Sequence, residues 1–211
     1  MQAFGPPFQD RTGTAVNILS LAVRRSIPDS VRLAALTGMR RGEIIGLRWN
    51  EIDLDGRCLH LKDSKTGESV RPLGHTAVDL LRSVRKRNEK GDFVFPAERK
   101  DAAAFGGLPK AYQRIVEHAD LKEAENVALS DLTLHGLRHG FATTADNLGL
   151  TLPTVAALLG HAAGGVTASY VARVDAVLSA AADKVAKEVA SMMGDKRSGS
   201  IIEHPSARKR A

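Results

Sequence analysis

Cysteine is almost absent: Cys58 stands alone among 211 residues, which excludes an intramolecular disulfide framework and fits a reducing compartment. It lies in the alternating stretch RCLHL, where a buried inert thiol is a better reading than a nucleophile. Aromatic residues make up only 4% of the chain, too few for a single-strand binder built on stacking platforms. No apolar run reaches the ~18–20 residues that span a bilayer, and no signal peptide is expected ahead of the first periodic segment. A cytoplasmic location is therefore expected, with no membrane partner. There is no G-x-x-x-x-G-K-[ST] loop to cradle a nucleoside triphosphate, and no internal repeat.

What the chain has is positive charge. The formal net charge is +6 and the pI about 9.7, a balance that favours a polyanionic partner over a neutral small molecule. The charge is clustered at Arg24-Arg25, Arg40-Arg41, residues 82–90 and Arg208-Lys209-Arg210. The length suffices for one sizeable core with short extensions.

Periodicity divides the chain as follows. Residues 1–8, rich in Gly and Pro, read as a linker remnant. Helical apolar spacing covers 15–23, and Pro28-Asp29-Ser30 opens a second helix through Leu36. Gly38 interrupts that helix, Arg40 stands at the corner, and a third short helix runs from 41 to 47. EIDLDG reads as a turn, RCLHLK as a strand, DSKTGE as a hairpin tip and SVRPL as the returning strand. A basic amphipathic helix follows over 75–87, then DFVFP as a short buried strand or an extended segment, a loop over 97–108 and a helix over 109–118. An Ala/Val-rich helix over 175–193 shows a narrow apolar face (Val177, Ala181, Val185, Val189). Residues 194–211 are a polar, basic tail expected to be disordered. The fold class expected is α+β, mainly helical, with one small antiparallel sheet.

The most informative stretch is 131–171. Leu134, Leu137, Arg138, Phe141 and Ala145 fall at helical spacings, so His135 and Arg138 project from one face about a turn apart. His161 follows the Gly that ends the next apolar helix, and Tyr170 lies nine residues further on. Imidazoles, a guanidinium and a phenol from successive helices form a set suited to a phosphodiester.

Four boxes in order, LTGMRRGEIIGLRW at 36–49, SKTG at 64–67, LHGLRHGFAT at 134–143 and LLGH with Tyr170 at 158–170, resemble the tyrosine recombinases, the phage-type integrases. The resemblance covers roughly 9–193, the family's catalytic domain, and implies that domain's fold. It implies a site-specific recombinase that cuts and rejoins double-stranded DNA through a 3′-phosphotyrosyl intermediate, without metal, ATP or other cofactor. Tyr170 would be the nucleophile and His135 its base. Arg40 and Arg138 would clamp the phosphate oxygens, a task for which a planar fork suits better than lysine. His161 would donate to the phosphate, and Lys65, on the hairpin tip, would protonate the departing oxygen. Glu43 would orient its neighbours. His139 matches the family's pattern or packs locally. Self-association into a tetrameric synapse on DNA is implied, in a prokaryotic cell and at its nucleoid. The family's N-terminal DNA-clamp domain has no room here, so a catalytic-domain fragment is expected, in preference to a truncated member. The last helix is expected to pack on a neighbouring protomer. The glycines at 164–165 would let Tyr170 rest away from the site without DNA.

Rival readings are weaker. His135 and His139 have zinc-protease spacing, but Gly136 stands where that motif needs Glu. Asp53 and Asp55 read better as a turn than as Mg²⁺ ligands. Ser83-x-x-Lys86 and Lys65-Thr66-Gly67 mimic penicillin-binding motifs in reversed order. A type IB topoisomerase would share the chemistry, and a non-catalytic DNA-binding module remains a third class. For the 75–90 helix, phosphate contact and a plain solvated face are equally good readings. Tyr112 reads as a core residue, and His60, His75, His118 and His204 are assigned no role.

Overall fold

A computed structural model describes residues 26–64, 67–88, 91–96, 107–118, 133–160 and 176–194. The expectations for 1–8, 15–23, 97–106, 162–165 and the tail beyond 194 lie outside these residues, as do Lys65, His161 and Tyr170.

The first helix, α1 (Ser26–Thr37), has Asp29 in its first turn, where a negative charge suits the helix dipole. Its apolar spacing buries Leu33, Ala34 and Leu36. It stops at Gly38, whose φ of 61° is left-handed. A Cβ on Gly38 would sit 2.7 Å from Leu159 Cδ2 and 2.8 Å from Phe141 Cδ1, so space and conformation both demand glycine. The chain then turns through Arg40 into α2 (Arg41–Gly46) and a 3-10 turn, Trp49–Glu51.

Strands β1 (Ile52–Asp53), β2 (Cys58–Ser64) and β3 (Gly67–Pro72) form an antiparallel sheet in that order. Part of the expected EIDLDG turn is thus a strand: Ile52 and Asp53 pair with Leu59 and Cys58. In the hairpin Leu59 faces Arg71 and Leu61 faces Ser69. All four side chains are buried. Directly paired residues share a face of the sheet, so an arginine and a serine stand among leucines on the core side.

Helix α3 (His75–Arg87) follows, burying Ala77, Val78, Leu81 and Val84. The DFVFP segment forms no regular strand: Phe93 makes a single bridge to Arg48, Val94 donates to the Leu47 carbonyl at 2.9 Å, and only Val94 and Phe95 enter the core. Helices α4 (Leu108–His118), α5 (Leu134–Asn147), α6 (Leu152–Leu159) and α7 (Ala176–Met192) complete the domain.

The apolar face of the last helix is covered within this chain. Six α7 side chains (Ala181, Ala182, Val185, Ala186, Val189, Ala190) are buried within this chain, while Val177 is 70% exposed. The face is narrow because small residues let α7 approach closely. A Cβ on Gly74, ahead of α3, would lie 2.6 Å from that of Ala186. Burying each valine is worth ~1.5–3 kcal/mol, which suffices to dock α7 in cis.

Candidate active site

The site starts at the corner between α1 and α2. Arg40 has an extended backbone (φ −69°, ψ 149°) at the N-cap of α2. Glu43, one turn on, reaches back: its carboxylate accepts the Arg40 backbone N–H at 2.7 Å and Arg40 Nη1 at 2.9 Å. The same carboxylate accepts Arg71 Nη1 at 2.9 Å and Nη2 at 2.6 Å, a two-pronged guanidinium–carboxylate pair. Glu43 therefore has all its lone-pair sites engaged. Burial pushes its carboxyl up, but the bonds and charges of Arg71 and Arg40 outweigh that and hold it below the usual range.

Arg71 is 1% exposed, and its Nε donates to Ser69 Oγ at 3.1 Å. Sequence reasoning passed it over. The signal was the charged residue in SVRPL, which becomes informative only once the hairpin register turns it toward the core.

Arg138 comes from α5, whose start is capped by Thr133 accepting the Gly136 N–H at 3.0 Å. Only 6% exposed, Arg138 donates from Nη1 to the Gly38 carbonyl at 2.6 Å and from Nη2 to the Leu159 carbonyl at 3.0 Å. The guanidinium thus ties the α1 corner to the end of α6. Burial, then repulsion from Arg40 and Arg71, lower its pKa to about 10, against the opposing pull of Glu43. It stays charged at neutral pH. Three guanidiniums around one carboxylate leave a net positive pocket, and an anion is the natural complement.

Helix α6 ends at Gly160 in a left-handed conformation, φ 64° and ψ 42°. The Arg71 guanidinium occupies the place a Cβ on Gly160 would take, so no larger residue fits without displacing it. His161 is the next residue in sequence.

The structure brings Arg40, Glu43 and Arg138 together, and adds Arg71. His135 and His139 lie on the exposed side of α5 with rings perpendicular and centroids 4.6 Å apart. Tyr112 is half-buried against the core, and burial pushes its phenol pKa up, which makes it a poorer nucleophile.

Asp53, Cys58 and His60 gather on the outer face of the sheet with ligand atoms within 4.8 Å of one another. Their bonds have local explanations. Asp53 Oδ1 accepts the Asp55 and Gly56 N–H groups at 3.1 and 2.7 Å, closing the turn. Cys58 Sγ lies 3.2 Å from His60 Nε2, and burial together with the Asp53 charge raises its thiol pKa, which disfavours the thiolate. His75 engages Asp183, its Nδ1 2.8 Å from Oδ1. Among the described residues no helix is long and apolar enough to cross a membrane.

The profile of the phage integrase family matches residues 15–176. The chain belongs to that family. A tyrosine recombinase XerC of Herpetosiphon aurantiacus is 31% identical over 169 residues, covering 72% of this chain and 52% of the relative. Among solved structures, an integrase from mycobacterium phage Brujita aligns with a TM-score of 0.57 at 22% identity, covering 76% of this chain and 51% of that one. The XerH site-specific recombinase bound to its difH substrate aligns with a TM-score of 0.52 at 23% identity, covering 73% and 48%. These two likenesses show the fold: helices around a small antiparallel sheet. The chain spans about half the length of each of these relatives.

Proposed function

We propose that this phage integrase family member is the catalytic part of a site-specific DNA recombinase acting through Tyr170. The observation that carries the reading is the convergence of Arg40 and Arg138. These residues, far apart in sequence, meet around Glu43 in a net positive, largely buried pocket. In the reaction, Tyr170 Oη forms a bond to a backbone phosphorus while the bond from phosphorus to O5′ breaks. The phenol proton passes to His135, and Lys65 gives a proton to the departing O5′. Arg40, Arg138 and His161 stabilise the charge on the non-bridging oxygens. The ester keeps the bond energy, so a 5′-hydroxyl can reverse the step onto another strand without ATP. The substrate is double-stranded DNA, and exchange between duplexes requires several copies of the chain, a tetrameric synapse.

The test is a pool of nicked suicide duplexes with a randomised core, incubated with the full-length protein and resolved on a denaturing gel. Wild type and Tyr112→Phe should form a covalent protein–DNA adduct, and Tyr170→Phe should form none. Arg40→Ala and Arg138→Ala should lower the adduct rate by about 10²–10³. An adduct that persists in Tyr170→Phe sinks the assignment. DNA binding with no adduct from any variant favours a non-catalytic module.

A further inference from the structure

Arg71 takes no part in the mechanism above. Arg71 is the largest of the fully buried side chains, yet it carries a full charge and faces the core among leucines. Leaving it there is costly unless it is paired. Its pairing is complete and specific: two bonds to Glu43 and one to Ser69. Glu43 in turn holds both the backbone N–H and Nη1 of Arg40. On its other side, the Arg71 guanidinium fills the space over Gly160, the residue before His161. Arg71 itself lies on β3, the returning strand of the hairpin.

We propose that Arg71 is a positioning residue: through Glu43 it fixes the phosphate-binding guanidinium of Arg40, and by filling the space over Gly160 it braces the end of α6. This rests on the recombinase reading, and deepens it. A guanidinium is required because only its fork matches both carboxylate oxygens while still reaching Ser69. Lysine would keep the charge and lose the geometry. The consequence falls on chemistry more than on DNA affinity, because Arg71 is buried and touches no substrate.

The experiment compares wild type, Arg71→Lys and Ser69→Ala in the full-length chain with two readouts. The first is the arginine side-chain ¹⁵N–¹H NMR spectrum without DNA, in which the Arg40 signal is identified by its loss in Arg40→Lys. Arg71→Lys should shift or broaden that signal while the backbone amide spectrum keeps the native fold. The second is single-turnover adduct formation on a duplex taken from the suicide pool, with affinity measured separately. Arg71→Lys should slow cleavage by about a hundredfold, as misplacement of a reacting group by ~1 Å does, with DNA affinity within a few-fold of wild type. Ser69→Ala should move both readouts in the same direction and less. An unchanged Arg40 signal with wild-type cleavage overturns the proposal. So does an Arg71→Lys chain that unfolds while Ser69→Ala leaves both readouts unmoved, since Arg71 would then be purely structural. If wild type forms no adduct, the recombinase reading fails, yet the Arg40 signal still decides whether Arg71 positions it.

Discussion

Glu43 is the residue on which this pocket turns, because among the described residues it is the one carboxylate held between three guanidiniums. Its pKa is held below the ordinary 4.5 by Arg71 and Arg40 despite burial. A carboxyl with a depressed folded-state pKa contributes stability above its unfolded pKa and loses it as pH falls through the folded value. Glu43→Gln keeps the shape, removes the charge and leaves Arg71 uncompensated. Removing one partner of a buried pair costs about 3–5 kcal/mol, and the remaining amide oxygen places this change near 3 kcal/mol. Urea unfolding should show that deficit at pH 7. The deficit should shrink below about pH 4.5, because wild type then loses the same charge. A deficit that is constant from pH 7 into the acid range would mean that Glu43 acts through packing and not through its charge.

At the scale of elements, what was legible in the sequence was what local pattern dictates. The helix stops at Gly38 and Gly160, the basic amphipathic helix over 75–87 and the hairpin around DSKTGE all follow from glycine conformation and periodicity. Arg40 at its corner and Arg138 on its helix were legible through motif spacing. Arg71 was not, because the inward face of β3 depends on a long-range register and a one-residue slip would have turned it to solvent. The docking of α7 was also hidden. Small residues look like a weak core face until a partner as close as Gly74 is known. Two glycines separate these effects. Gly38→Ala meets both a left-handed φ and the Phe141 and Leu159 side chains, so it should destabilise by about 3 kcal/mol, combining the αL penalty with overpacking. It should also displace the carbonyl that Arg138 holds. Gly140→Ala, inside α5 with no atom within 4 Å of the new methyl, should stabilise by up to about 1 kcal/mol. Denaturant midpoints of the two variants check both signs. Equal effects would mean that helix propensity, not space, governs these positions.

Over the whole molecule the question is where the net charge of +6 acts. Helix α3 was open between a phosphate-binding face and a solvated one, and its neighbours now weigh on that choice. Arg87 donates to Asp29 at 2.6 Å, and Arg82 lies 3.7 Å from Asp55 and 3.9 Å from Asp79. Arg85 stacks over the Trp49 ring at 4.9 Å. These cations are partly neutralised or held by the protein itself, whereas Arg40 and Arg138 crowd around a single carboxylate. The slope of log K against log salt counts phosphates neutralised, at about 0.9 per contact on duplex DNA. We therefore expect Arg40→Ala to reduce the slope for a random-sequence duplex by about 0.9, measured by anisotropy between about 50 and 200 mM salt. The triple change of Arg82, Arg85 and Arg87 to alanine should leave the slope nearly where it is in wild type, although the absolute affinity falls a little with the lost long-range attraction. A drop of about 0.9 for each α3 cation would reverse the conclusion. DNA would then lie across α3 as well as over the Arg40–Arg138 pocket, and the internal ion pairs of α3 would have to open when it binds.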